Sequence, residues 1–171
     1  MKYNYLMHLD IADHYQFITF RTRDSSDEFL QKLNYQIKPT GKKQLDIDNY
    51  LDQSQQGAYL NGDVLLFLSD YLKEANSELY DLSAFAIMSN HVHLLVKLLL
   101  KLAPMMQKIK GQSAIKINRL LGHGGVFWAA DYFDKAVRDE KHYQVVYHYI
   151  KNNPLKLVEN CDVRFYGIHE Q

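Results

Sequence analysis

The spacing of hydrophobic residues along the chain predicts four β-strands. Residues 14–23 are rich in aromatic and β-branched side chains, which favour a strand. Two short apolar runs, residues 82–88 and 91–98, lie on either side of a polar two-residue turn and predict adjacent antiparallel strands. Residues 126–137 predict a further strand with a bend.

Three helices are predicted where apolar residues recur every three or four positions. The first covers residues 63–79. The second covers residues 102–121, turns its basic side chains largely outward and ends at Gly122. The third starts at Asp139 and stops at Pro154, because proline lacks the amide hydrogen that continues a helix.

The remaining segments are polar and less regular. Residues 24–27 suit helix capping and precede a short apolar segment, residues 29–33. Residues 34–62 are polar and contain proline and glycine, so they predict an irregular excursion with a short element near residues 49–51. The order strand, helix, strand, strand, helix, strand, helix predicts an α+β fold. We expect a ferredoxin-like antiparallel sheet with helices packed on one face, in a single domain over residues 1–171.

The composition is that of a globular domain without disulfide bonds or a membrane span. The chain has 171 residues, of which 47% are hydrophobic and 23% charged, so it can bury a core of its own. Its single cysteine excludes an internal disulfide framework and fits a reducing compartment. No apolar run approaches the roughly 20 residues of a membrane-spanning helix. We therefore expect a soluble cytoplasmic protein.

The charges are unevenly distributed although the formal net charge is zero. Residues 1–85 hold 8 Lys and Arg against 13 Asp and Glu, whereas residues 86–171 hold 12 against 7. Residues 97–130 contain six basic residues and no acidic ones. Such a stretch suits a polyanion, because each neutralised phosphate releases counterions, but a solvated helix face has the same pattern.

Two pairs of residues have spacings that fit catalytic chemistry. His91 and His93 are two positions apart on a predicted strand, so both imidazoles project from one face and could begin a metal site. Two histidines half exposed on a sheet surface give the same pattern. Tyr149 and Asn153 are four positions apart and share a helix face. A tyrosine hydroxyl can act as a nucleophile and an amide oxygen can bind a cation, although tyrosines on this helix also suit packing.

The order of motifs around these pairs resembles one transposase family. AFAIMSNHVHLLV is similar to the HUH signature, in which two histidines flank a bulky apolar residue. It is followed by K-G-x-x-x-x-x-I-N, F-W-x-x-x-Y-F-D and Y-I-x-x-N-P, in this order. With residues 17–22 and 50–60 upstream, the chain resembles the REP-associated tyrosine transposases, which are related to single-tyrosine insertion-sequence transposases. The similarity extends from about residue 14 to residue 158.

This resemblance implies an HUH domain that binds and cleaves single-stranded DNA near hairpins. By motif position, His91, His93 and Asn153 would bind Mg²⁺ or Mn²⁺, and Tyr149 would attack the scissile phosphate to form a 5′-phosphotyrosine bond. Transposases of the related insertion sequences carry Gln where this chain has Asn153. Those transposases are dimers that share their sites, whereas members of this branch can act as monomers, so the choice between a monomer and a homodimer stays open.

Other interpretations remain beside this one. Lys110, Lys116 and Arg119 are candidate phosphate contacts, and we expect their helix to lie beside the metal, where a DNA backbone would have to run. An HUH initiator nuclease of the rolling-circle type is a second enzyme, but such chains usually carry additional regions. The alternative from another class is a catalytically silent protein that binds hairpin or single-stranded DNA.

Overall fold

A computed structural model describes residues 13–25, 41–159 and 161–170. Its strands form one antiparallel sheet in the order β4–β1–β3–β2–β5. In chain order the strands are β1 (Tyr15–Arg21), β2 (Tyr80–Ile87), β3 (His91–Leu98), β4 (Phe133–Ala136) and β5 (Phe165–Gly167). The α-helices of the described part are α1 (Gly41–Gln53), α2 (Gly62–Glu74), α3 (Leu102–Leu121) and α4 (Glu140–Asn152).

The two faces of the sheet carry separate hydrophobic clusters. Helices α2 and α3 pack over one face, against alternate strand positions such as Ile18, Phe85 and Leu94. Helix α4 covers the opposite face, where it meets Phe17 and Leu95. The prediction of an α+β fold with an antiparallel sheet is confirmed. The prediction that the helices pack on one face only was wrong, because they cover both faces of the sheet. The central strands are buried on both sides, so each face of the sheet has to pack against helices.

The helix boundaries follow the predicted signals. Asp139 caps α4, because its carboxylate accepts a hydrogen bond from the backbone amide of His142 at 2.8 Å. Gly122 ends α3 with a φ of 65°, a left-handed conformation that glycine adopts without a steric penalty. Pro154 lies in a short 3₁₀ turn, Asn153–Lys156, that follows α4 directly. No described helix combines the length and the apolar composition needed to cross a membrane.

The prediction of an irregular excursion over residues 34–62 was wrong, because α1 occupies part of it. Helix α1 buries Ile47 and Leu51, but its inward face also contains the polar residues Gln44 and Asp48. Hydrophobic periodicity therefore misses this helix. The apolar segment predicted over residues 29–33 lies outside the described residues.

The strand predicted over residues 126–137 is shorter in the structure. Only Phe133–Ala136 form β4, and Trp128 instead makes an isolated bridge with Thr22. The indole ring of Trp128 is buried and packs against Phe20 with ring centroids 4.8 Å apart, so Trp128 belongs to the core. Strand β5 was not predicted, because three residues are too few to give a periodic signal.

Candidate active site

The two histidines of β3 lie side by side on the sheet face that α4 covers. Both side chains are fully buried, and their ring centroids are 4.8 Å apart. The interpretation as half-exposed surface histidines is therefore wrong. Burial lowers the pKa of His91 and of His93 to about 3, so both imidazoles are neutral at neutral pH and have a lone pair available for a metal.

Asn90 fixes the orientation of the His91 ring. Its Nδ2 atom donates to the carbonyl oxygens of Leu51 at 3.0 Å and of Ser54 and Gln56 at 3.3 Å each. The Oδ1 atom is therefore an acceptor, and it lies 2.7 Å from Nδ1 of His91. This places the imidazole proton on Nδ1 and leaves the lone pair on Nε2. The polar turn before β3 thus positions a site residue as well as reversing the chain.

His93 is held in a similar way by β1. The antiparallel register pairs His93 with Thr19, and Oγ1 of Thr19 lies 2.8 Å from Nδ1 of His93. Phe17 stacks on the same imidazole, with a centroid distance of 5.8 Å. The Nε2 atoms of both histidines are buried and have no hydrogen-bond partner among the described residues.

Helix α4 brings Tyr149 to the histidines, and α1 supplies its hydrogen-bond partner. The Tyr149 ring centroid lies 5.3 Å from that of His93, and its hydroxyl donates to Oδ2 of Asp48 at 2.7 Å. Oδ1 of Asp48 accepts a hydrogen bond from Nε2 of Gln44, also at 2.7 Å. Burial raises the pKa of the Asp48 carboxyl. Burial, and then the neighbouring Asp48 charge, raise the pKa of the Tyr149 hydroxyl.

Asn153 lies one helical turn after Tyr149, at the start of the 3₁₀ turn. Its Nδ2 atom donates to the carbonyl oxygen of Tyr149 at 2.8 Å, whereas its Oδ1 atom is buried without a partner in the described part of the chain. Asp52, one turn after Asp48 on α1, accepts a hydrogen bond from Nζ of Lys156 on Oδ2 at 2.8 Å. The other oxygen of Asp52 lies 3.6 Å from Nε2 of His91.

Four buried atoms around Tyr149 are of the types that bind divalent cations. Within the described residues, the atoms that lack a hydrogen-bond partner include Nε2 of His91 and His93, Oδ1 of Asn153 and Oδ1 of Asp52. Leaving a buried polar atom unpaired costs about 1–3 kcal/mol, so several of them in one site are well explained by a ligand. Imidazole nitrogen together with carboxylate or amide oxygen is a donor set that suits divalent metal ions.

Asp48 offers a second carboxylate close to the histidines. Ligand atoms of Asp48, His91 and His93 all lie within 4.8 Å of one another. Both oxygens of Asp48, however, already accept hydrogen bonds, from Tyr149 and from Gln44. Asp52 retains an oxygen without a partner among the described residues, 3.6 Å from Nε2 of His91, so both carboxylates are candidate ligands.

Sequence reasoning missed the contribution of α1 entirely. Gln44, Asp48 and Asp52 are spaced four residues apart, which puts them on one face of a helix. The signal was present as a polar stripe at helical spacing, but it was not recognised because the surrounding segment contains few apolar residues. By contrast, His91, His93, Tyr149 and Asn153, which the sequence singled out, belong to one side-chain group.

The three basic candidates on α3 lie on the other side of the sheet. The expectation that their helix runs beside the histidines was wrong, because α3 packs into the cluster formed with α2 and the odd-numbered histidines point away from it. Lys110 donates to the carbonyl oxygens of Ala130 at 3.1 Å and Asp131 at 3.4 Å, so it holds a loop. Lys116 and Arg119 are exposed.

Comparison with known proteins identifies a related family. Residues 53–153, more than half of the chain, match the family described as IS200-like transposases. A solved REP-associated tyrosine transposase bound to a REP hairpin is 18% identical, with 85% of this chain and 69% of that chain covered and a TM-score of 0.50. A candidate transposase from Deinococcus radiodurans R1 is 18% identical, with coverages of 84% and 92% and a TM-score of 0.49. The comparison with curated proteins gives no match.

Proposed function

The chain belongs to the IS200-like transposase family, and from this premise we propose that it cleaves and rejoins single-stranded DNA through a covalent bond to Tyr149. A protein of similar fold is bound to a REP hairpin, so the proposed substrate is single-stranded DNA next to a hairpin. One observation carries the proposal. The Tyr149 hydroxyl, 2.7 Å from the Asp48 carboxylate, lies on the same sheet face as two buried imidazoles whose Nε2 atoms have no partner among the described residues.

The proposed cleavage step exchanges one phosphoester bond for another. Oη of Tyr149 attacks the scissile phosphorus, and the bond from phosphorus to the 3′ oxygen breaks. The phenolic proton passes along the existing hydrogen bond to Oδ2 of Asp48, and the released 3′ oxygen takes up a proton from solvent. Rejoining reverses these steps, because a 3′ hydroxyl attacks the phosphotyrosine and restores the phosphodiester. The covalent intermediate retains the bond energy, so the reaction requires no nucleotide cofactor.

His91, His93 and Asn153 would hold Mg²⁺ or Mn²⁺, and Asp52 offers a fourth donor atom. The four buried oxygen and nitrogen atoms without partners in the described part of the chain support this assignment. When bound there, a divalent cation would polarise the scissile phosphate and stabilise the leaving oxygen. Asn90 and Thr19 contribute by fixing the two imidazole rings through their Nδ1 atoms.

The remaining assignments concern the surroundings of this site. Lys116 and Arg119 are exposed on α3 and would contact phosphates of a hairpin that extends past the edge of the sheet. Lys110 is a weaker candidate, because its ammonium group is occupied by loop carbonyl oxygens. We propose that the protein acts on DNA in the cytoplasm, as a single domain.

Trapping a covalent adduct tests the proposed function. Purified protein and Mn²⁺ are incubated with labelled single-stranded hairpins from repeats of the host genome, and adducts are resolved on denaturing gels and mapped by mass spectrometry. We expect an adduct on Tyr149 that is lost in Tyr149→Phe. Tyr143→Phe is the matched control, because it removes a hydroxyl from the same helix, one paired with His169 at 3.2 Å.

The other outcomes separate the alternatives. An adduct that persists in Tyr149→Phe contradicts the assignment of the nucleophile. Tight hairpin binding without any adduct favours the catalytically silent DNA-binding protein. If the protein neither binds any of the hairpins nor forms an adduct with them, the proposed function as a whole is contradicted.

A further inference from the structure

Lys156 lies beside the proposed nucleophile because of the turn that follows α4. Pro154 prevents the α-helix from continuing, and the chain tightens into the 3₁₀ turn Asn153–Lys156. Residues three apart in a 3₁₀ helix lie on the same side, so Lys156 is aligned with Asn153. Nζ of Lys156 is 5.7 Å from the centroid of the Tyr149 ring.

The ammonium group is anchored on one side and open on the other. Nζ donates to Oδ2 of Asp52 at 2.8 Å, and 41% of the Lys156 side chain is exposed whereas only 8% of the Asp52 side chain is. The Asp52 carboxylate thus holds the Lys156 ammonium group where the buried site meets solvent. The lysine has a long flexible stem with three donor hydrogens, of which Asp52 uses one.

The two carboxylates beside Tyr149 would repel a phosphate unless a positive charge such as that of Lys156 offset them. Asp48 and Asp52 place two carboxylates next to Tyr149, and a DNA phosphate that approaches the hydroxyl would be repelled by both. Nζ of Lys156 lies 2.8 Å from Oδ2 of Asp52 and 5.7 Å from the centroid of the Tyr149 ring. Its positive charge therefore offsets this repulsion at the place where the phosphate would approach.

We propose that Lys156 binds a non-bridging oxygen of the scissile phosphate and stabilises the negative charge that develops there when Tyr149 attacks. This inference rests on the proposed function, and it assigns Lys156 as a catalytic residue beyond the tyrosine and the metal ligands. Removing one preorganised donor to a developing oxyanion slows a reaction by about 100-fold or more. We expect a loss of this size in the adduct rate of Lys156→Met.

A neutral phosphate analogue separates this role from a structural one. The scissile position is mapped with the wild-type protein, and a methylphosphonate is then placed there, which removes the charge of one non-bridging oxygen. Single-turnover adduct rates are measured on both substrates for the wild type, Lys156→Met and Lys156→Arg. Lys151→Met is the matched control, because Lys151 is 42% exposed and pairs with Glu170 at 2.7 Å, away from Tyr149.

The inference requires a specific pattern of rates. Lys156→Met should be slowed about 100-fold on the phosphodiester and far less on the methylphosphonate. Lys156→Arg should recover most of the rate, and Lys151→Met should match the wild type. An equal loss on both substrates would mean that Lys156 acts through Asp52 or through packing, and no loss would also overturn the inference. A wild type that forms no adduct overturns the proposed function itself, which is a distinct result.

Discussion

Replacing Asp48 by asparagine should separate the chemistry of the site from its stability. The two oxygens of Asp48 accept hydrogen bonds from Tyr149 and Gln44, each at 2.7 Å. Asparagine has the same shape and keeps an oxygen for Tyr149, and the Gln44 amide can turn to accept from the new NH₂ group. Asparagine cannot take up the phenolic proton. We therefore expect Asp48→Asn to bind hairpins normally and to form the adduct slowly.

The size of the effect follows from the environment of Tyr149, the proposed nucleophile. General base catalysis contributes about 10²–10⁴-fold. The adduct rate should depend strongly on a proton acceptor, because burial and the Asp48 charge raise the pKa of Tyr149 far above its ordinary value. We expect the adduct rate to fall by at least about 100-fold.

The same substitution should stabilise the fold of the metal-free protein, although it slows adduct formation. Burial raises the folded-state pKa of Asp48 above its ordinary value of 3.8. The stabilisation that accompanies protonation is then fully present below pH 3.8 and is lost as the pH rises through the folded-state pKa. At neutral pH the buried carboxylate destabilises the fold. Asp48→Asn should therefore raise the free energy of unfolding at neutral pH, and the gain should disappear in acid.

Three measurements on Asp48→Asn test this prediction. They are the rate of single-turnover adduct formation, thermal unfolding as a function of pH, and Mn²⁺ titration. Asp46→Asn is the control, because Asp46 is exposed on the same helix. Cleavage by Asp48→Asn at the wild-type rate would refute Asp48 as the proton acceptor. Loss of Mn²⁺ affinity in this variant would show that Asp48, rather than Asp52, supplies the carboxylate ligand.

Two further predictions test the metal site and the fold. His91→Ala combined with His93→Ala should abolish Mn²⁺ binding in a calorimetric titration. His123→Ala is the control, because this histidine is exposed, and it should leave binding intact. Unchanged Mn²⁺ affinity in the double variant would contradict the assignment of the two histidines as metal ligands. Arg164→Met should lower the free energy of unfolding in urea by about 3 kcal/mol, because the buried guanidinium donates to main-chain carbonyl oxygens and to a side-chain oxygen. Arg119→Met, exposed on α3, should stay within about 0.5 kcal/mol, and an equal loss in both would refute the bonding argument.

The central strands and three of the helices could be predicted because their positions follow a simple hydrophobic period. Strand β3 is an example, since its eight residues form an apolar run after a polar turn. The face on which each helix packs could not be predicted in this way. Because β1 to β3 are buried on both sides, their sequences do not indicate which side α3 occupies, and the basic helix was expected on the wrong one.

Half of the candidate site could be predicted from local spacing, and the other half depends on tertiary contacts. His91 with His93, and Tyr149 with Asn153, are separated by two and four positions, so backbone geometry alone aligns them. Asp48 is 101 residues away from Tyr149 in the chain. No periodicity connects residues so far apart, and the contact arises only when α1 and α4 meet on the same face of the sheet.

The polar inner face of α1 is itself an argument for function. A helix that buries Gln44, Asp48 and the side chain of Asp52 gives up hydrophobic contact and desolvates two carboxyl groups, whose pKa values rise in consequence. Packing alone would favour apolar residues at these positions. The arrangement is understandable if one carboxylate receives the nucleophile's proton and the other binds a cation and orients Lys156. The same reasoning explains why the variant that loses the proton acceptor should be the more stable protein.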